Sequence, residues 1–259
     1  MSPASKQATK KAPRSKPASS PLVRSKKVAG KRCYGTAPPG ADLEALQGKL
    51  IVLEGQDSSG RSTHVSLLSK WLQQEGYAVV EVGIKRSALV APELEEARRG
   101  NTLSPRTMSL FYATDFYDQL ENRIVPALRA GAVVLADRYI FTLMARDLVR
   151  GADEAWVKNL YSKAIVPDAL IYLQASPRTL LERRLEAHPD LDYWESGMDL
   201  GLSRDWYESF LAYQRRMSQL FHKLIPEYGF DVVNANRSVP VVHRELQSKM
   251  QAFLAGWKT

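Results

Sequence analysis

The run Gly55-Gln56-Asp57-Ser58-Ser59-Gly60-Arg61-Ser62-Thr63 carries the most specific chemistry in the chain. Its two glycines let the backbone turn tightly enough for successive N–H groups to surround an anion. The run matches the phosphate-cradling pattern G-x-x-x-x-G-K-[ST] at every fixed position except the lysine, which is Arg61. Gly55 through Thr63 would then hold nucleotide phosphates, with Ser62 ligating magnesium and Arg61 reaching the terminal phosphates. Arginine is bulkier than lysine and planar, so it would grip phosphate with a fork where lysine offers a point charge. A second group is Asp137-Arg138-Tyr139. Its carboxylate could hold magnesium directly or through water, and Arg138 could bind a second phosphate bidentately.

Both groups need strands that end beside one another. Leu50-Ile51-Val52-Leu53 is a short apolar run that meets the first glycine at once, and Ala132-Val133-Val134-Leu135-Ala136 leads into Asp137. Runs at 78–82, 169–173 and 230–233 have the same character. Helical patterns lie between them, at about 63–75, 105–130, 140–163, 177–187 and 204–227, with a last one near 239–256. Strands alternating with helices predict an α/β fold, a five-stranded parallel sheet covered by helices on both faces. In such sheets ligands bind beyond the carboxyl ends of the strands.

Charge is unevenly distributed. The formal net charge is +8, yet residues 1–41 hold ten Lys and Arg and no Asp or Glu. The remainder therefore carries 26 basic against 28 acidic residues, or −2. The N-terminal stretch is rich in Ser, Pro and Ala and poor in large apolar residues, which predicts a disordered basic tail over 1–47 and a folded domain over 48–259. A solvated leader is the plain reading of that tail, and contact with nucleic acid or another polyanion is the alternative. No apolar run is long enough to span a bilayer, no secretory h-region is present, and Cys33 is the lone cysteine. A cytoplasmic protein without a membrane partner fits these features, and a homodimer is left open.

The motifs together resemble the thymidylate kinase family. The resemblance rests on Gly48-Lys49-Leu50-Ile51-Val52-Leu53-Glu54-Gly55, Asp57, Ser62-Thr63 and Asp137-Arg138-Tyr139. It rests also on Ser109-Leu110-Phe111-Tyr112-Ala113, Ile124-Val125-Pro126-Ala127-Leu128 before Gly131, and Pro167-Asp168. It runs from about Gly48 to Leu254 and implies a P-loop nucleoside monophosphate kinase fold with a lid segment at 188–203. It implies γ-phosphoryl transfer from ATP, with magnesium, to a nucleoside monophosphate, dTMP being the family's acceptor. Arg61, Asp137 and Arg138 would be catalytic, and Ser62 and Asp137 would hold the metal. Phe111 would stack on the acceptor base, Asp57 would contact its sugar, and Arg86, Arg138 and Arg146 would complete the acceptor site. Arg183 falls where the family has an arginine near the donor nucleotide.

The chain departs from that family at Arg61, at Lys85-Arg86-Ser87 after the second strand, and at Asp115, where an arginine reads the thymine edge. It departs again at Ala145-Arg146-Asp147, and in an acidic lid bearing Asp190, Asp192, Glu195 and Asp199. Asp115, four residues after Phe111 on one helix face, is expected at the edge of the acceptor base, the alternatives being that it turns to water or Arg123 or that Phe116 takes the reading position. A carboxylate there only accepts hydrogen bonds, which would favour cytosine or guanine over thymine. A catalytically silent nucleotide-binding protein and a polyphosphate-dependent kinase stand as alternatives.

Overall fold

The structure is a computed structural model that describes residues 30–100, 103–188 and 190–257. The chain runs β1 (Lys49–Gly55), α1 (Arg61–Gln74), β2 (Val79–Gly83), α2 (Ala91–Gly100) and α3 (Pro105–Gln119). A π-helical turn, Leu120–Ile124, joins α3 to α4 (Val125–Arg129), followed by β3 (Val133–Asp137), α5 (Ile140–Val149) and α6 (Glu154–Leu160). Then come β4 (Ala169–Gln174), α7 (Pro177–Ala187), α8 (Trp206–Tyr228), β5 (Asp231–Asn234) and α9 (Val239–Leu254). The five strands form one parallel sheet in the order β2-β3-β1-β4-β5.

Alternate residues of the central strands enter two different cores. Leu50, Val52, Val134 and Ala136 face α3, α4, α5 and α8, while Ile51, Leu53, Val133 and Leu135 face α1, α7 and α9. Burial on both sides is why these strands read as continuous apolar runs. The five strands and the helices on both faces agree with the sequence expectation. The helix α2 was not expected: of its ten residues only Leu94 is buried, so it has no apolar stripe to detect. The expected helix over 140–163 divides at Gly151, whose φ of +82° ends the first segment and leads to α6.

The expected tail over 1–47 needs correction in its last third. Residues 31–35 lie as an extended strap along 162–166: Tyr34 N–H donates to the Ala164 carbonyl at 3.1 Å and Val166 N–H to that of Arg32 at 2.7 Å. Cys33 and Ile165 form an antiparallel bridge. The Lys31 ammonium pairs with Asp168, and the Tyr34 ring packs edge-on against Phe141 and Tyr228. Leu46 is buried in the core. A few apolar groups in a charge-rich stretch were enough to order it, which composition averaged over the stretch conceals. Residues 1–29 of the expected tail lie outside the described residues. Among the described residues no helix is long and apolar enough to cross a membrane.

Candidate active site

The register Leu53↔Asp137 sets the ends of β1 and β3 side by side, so the loop leaving β1 passes directly over Asp137. Gly60 caps α1 with φ +87°, a backbone conformation open to glycine. At Gly55 a Cβ would come within 2.6 Å of the Ser59 hydroxyl oxygen, so the tight loop requires glycine there as well. The Ser59 hydroxyl is itself buried without a hydrogen-bond partner, and the first N–H groups of α1 have no side-chain cap. The Ser59 N–H closes the loop onto the Gln56 carbonyl at 3.2 Å, and a buried donor left open beside an uncapped helix N-terminus suits an anion such as a phosphate. Ser62 and Thr63 are exposed on the first turn of α1. The Ser62 hydroxyl lies alongside Asp137.

Arg61 is where the loop differs from the expectation. Its guanidinium does not project outward as a free fork. It donates through Nε to Asp137 and through Nη1 to the Gly55 carbonyl, with the Gln56 carbonyl at 3.3 Å. The planar group is long enough to fold under the loop, where it is 8% exposed. Burial lowers the Arg61 pKa, Arg138 lowers it further, and Asp137 and Asp57 oppose both. Burial opposes ionisation of Asp137 as well, but Arg61 and Arg138 outweigh it and hold that carboxyl below the usual range. Arg86 approaches the same carboxylate at 3.6 Å.

The residues expected on the acceptor side gather around Asp57. Arg138 donates to one carboxylate oxygen and Arg146 to the other at 3.1 Å. Burial opposes that charge, yet the two arginines keep Asp57 far below the ordinary carboxylate range. Arg138 has φ +71°, a conformation that costs a residue with a side chain about 1–3 kcal/mol. Two contacts hold it: Arg138 N–H donates to Leu53 O at 3.0 Å, and Tyr139 N–H donates to the buried Glu54 at 2.8 Å. Thr142 donates to the same carboxylate, so Glu54 fixes the turn that aims Arg138.

Two residues expected at the acceptor base have other partners here. The Asp115 carboxylate, 1% exposed, accepts from the backbone N–H groups of Lys85 at 2.8 Å and Ser87 at 2.9 Å, and from Gln119 at 3.1 Å. It is an anchor for the β2–α2 loop, where Lys85 has φ +63°, and its acceptor capacity is spent there. Phe111 is half-buried on the flank of α3. The cavity between α3 and α5 is walled by its neighbour Tyr112, with Ser109, Arg146, Asp147, Tyr161 and Trp194 around it. The helix turns 100° per residue, so a one-position difference decides which ring faces the cavity. Asp147 accepts from the Ser109 hydroxyl at 2.6 Å, and burial raises its pKa to about 6 against the pull of Arg150 and Arg146. The Tyr161 hydroxyl there is buried without a partner.

On the donor side Arg183 staples three segments, donating to Ser59 O at 3.3 Å, Ala235 O at 2.8 Å and Arg237 O at 3.3 Å. The acidic lid is not left uncompensated. Asp192 pairs with Arg98 at 2.6 Å, Asp199 with Arg150 at 2.7 Å, and Glu195 with Arg184 at 3.7 Å. Arg98, Arg150, Tyr112, Tyr161 and Trp194 were missed from the sequence. Only the Arg146/Arg150 spacing, which puts both on one face of α5, could have signalled part of this set.

The family model described as thymidylate kinase matches residues 53–246, more than half of the chain. The probable thymidylate kinase 2 of Saccharolobus solfataricus is 35% identical over 210 residues, covering 81% of this chain and 98% of that protein. The thymidylate kinase of Halothermothrix orenii is 31% identical over 218 residues, covering 81% and 99%. A probable thymidylate kinase of Pyrococcus horikoshii is 29% identical over 222 residues, covering 82% and 100%.

Proposed function

The chain belongs to the thymidylate kinase family, and from that premise we propose that it transfers the γ-phosphoryl group of ATP to a nucleoside monophosphate. The acceptor we assign is dTMP, as the names of its relatives suggest, and the location we assign is the cytoplasm. One observation carries the reading. A phosphate loop with an open buried hydroxyl at Ser59 faces Arg138 and Arg146 across Asp57, beside Ser62 and Asp137.

The chemistry asked of these residues is mainly positioning and charge neutralisation. An oxygen of the acceptor phosphate attacks the γ-phosphorus of ATP, and the bond to the β-phosphate oxygen breaks, giving a diphosphate and ADP. The loop N–H groups and the N-terminal end of α1 would hold the donor phosphates. Arg138, Arg146 and Arg86 would draw in the acceptor phosphate, displacing the carboxylates that now occupy them. Arg183 keeps the donor side of the loop in place. Ser62 and Asp137 are hard oxygen donors set together, as magnesium prefers. Magnesium bound there would take its remaining oxygens from phosphate and water. When bound, magnesium would neutralise charge on the phosphate oxygens.

A second reading is a nucleotide-binding protein without turnover. It is favoured by Arg61, whose fork is occupied by Asp137 and by loop carbonyls. A coupled assay with ATP and magnesium against all common monophosphates separates the two. Calorimetry with a non-hydrolysable ATP analogue should show binding that Gly60→Asp abolishes in a folded protein. Binding without turnover on any acceptor would favour the second reading, and no binding would end both.

A further inference from the structure

The side chain of Gln56, inside the phosphate loop, does not point toward the phosphates. It is 4% exposed and turned down onto α8, where Nε2 donates to the Gln214 carbonyl at 2.7 Å and to its side-chain oxygen at 2.8 Å. Its own oxygen accepts from Ser218 at 3.0 Å and Tyr172 at 3.3 Å. Gln214, 1% exposed, donates from its own amide nitrogen to the Glu195 carbonyl of the lid at 3.0 Å. Every polar atom of both amides that this chain of contacts uses is partnered, and both residues are buried.

We propose that Gln214 is a positioning residue that carries the state of the phosphate loop to the lid. The inference rests on the kinase reading, in which the loop holds the donor phosphates. The loop and the lid are 139 positions apart at Gln56 and Glu195, and the two amides bridge them through one helix. In this proposal, closing loop N–H groups around phosphates shifts the backbone at Gln56. Gln56 is the residue whose carbonyl also accepts from Arg61. An amide pair with fixed donors and acceptors cannot follow that shift without moving its next partner, because a buried polar group left unpaired is costly. That next partner is the lid backbone at Glu195, whose carboxylate pairs with Arg98 and Arg184. Ser209 gives a built-in control. It donates to the adjacent lid carbonyl, Ser196 O, at 2.7 Å. Among the described residues Ser209 makes no hydrogen bond to the phosphate loop, so it holds the lid without joining it to the loop.

The test is limited trypsin cleavage of the full chain at exposed Arg204 beside the lid, with and without a non-hydrolysable ATP analogue and magnesium. In the native chain the analogue should change the cleavage rate by at least about fivefold, the lower end of ordinary coupling between sites. Gln214→Met should still bind the analogue by calorimetry, within about threefold of native, yet show no nucleotide effect on cleavage. Ser209→Ala should cleave faster in both states and keep the native ratio between them. Should Gln214→Met not fold, Gln214→Asn, with its shorter reach, takes its place in the same comparison. A nucleotide effect of native size in the Gln214 variants overturns the inference and leaves the kinase reading standing. Absence of analogue binding in the native chain overturns both.

Discussion

Arg61 at the start of α1 and Asp137 at the end of β3 are joined through the arginine Nε, and the same guanidinium reaches back to the Gly55 carbonyl. The position that opens α1 therefore neutralises the carboxylate at the end of β3. Arg61→Ala should lower kcat/KM at least about tenfold, equivalent to roughly 1.4 kcal/mol of transition-state stabilisation. It should also lower the thermal midpoint, because Asp137 loses its nearest counter-charge in a buried setting. Arg61→Lys should retain most of the turnover, since lysine leaves a charge in the loop and frees the Asp137 carboxylate. Turnover by the alanine variant equal to native would show that the loop backbone does the phosphate work alone.

Asp115 gives an expectation opposite to its position in the sequence. Because it anchors Lys85 and Ser87, Asp115→Ala should destabilise the fold by about 1–3 kcal/mol, the cost of leaving buried donors unmade. Arg86 sits in the loop it anchors, so kcat/KM should fall for every acceptor by a similar factor. Asp115→Arg should not redirect the preference among bases. A selective gain for one base, measured across the monophosphate series, would contradict this role.

The strap makes truncation a graded experiment. Lys31 pairs with Asp168 at the start of β4, the end of the sheet opposite the phosphate loop. A chain starting at Gly30 should keep the native thermal midpoint and kcat. One starting at Asp42 should lose Tyr34 packing worth about 2 kcal/mol, a fall of roughly 4–8 °C in the midpoint. Its kcat at 25 °C should stay within about twofold of native. Equal midpoints for the two truncations would show that the strap contributes nothing.

The Asp147 carboxyl, pushed up to about 6 by burial beside Ser109, Tyr161, Arg146 and Arg150, ties stability to pH. A carboxyl whose pKa is higher in the folded state binds its proton more tightly there. The fold is therefore relatively stabilised below the unfolded value and loses that stabilisation as pH rises to about 6. Asp147→Asn, which can still accept from Ser109, should raise the denaturation midpoint at pH 7–8. The gain should shrink toward zero near pH 4. A gain independent of pH would show that Asp147 is not the titrating group.

What the sequence by itself determined is local. The phosphate loop, its entry from a strand and its exit into a helix follow from glycines and apolar runs within a few residues of each other. The parallel sheet follows from strands apolar on both faces. Asp57, Asp137 and Arg138 were legible as candidates because each lies at or just past a strand end in a known pattern, whereas Arg146 lies within α5. The partners of those charges were decided by tertiary structure. Asp115 reads from the sequence as a base contact, yet the loop 28 to 30 positions earlier claims it. Tyr112, one position after Phe111, lines the cavity beside α3. The lid acids find Arg98, Arg150 and Arg184 on three separate helices, and Gln56 finds Gln214 158 positions away. A charge or an amide specifies what it can bind, but its range is a few ångströms, so only the packing of distant helices sets which partner comes within reach.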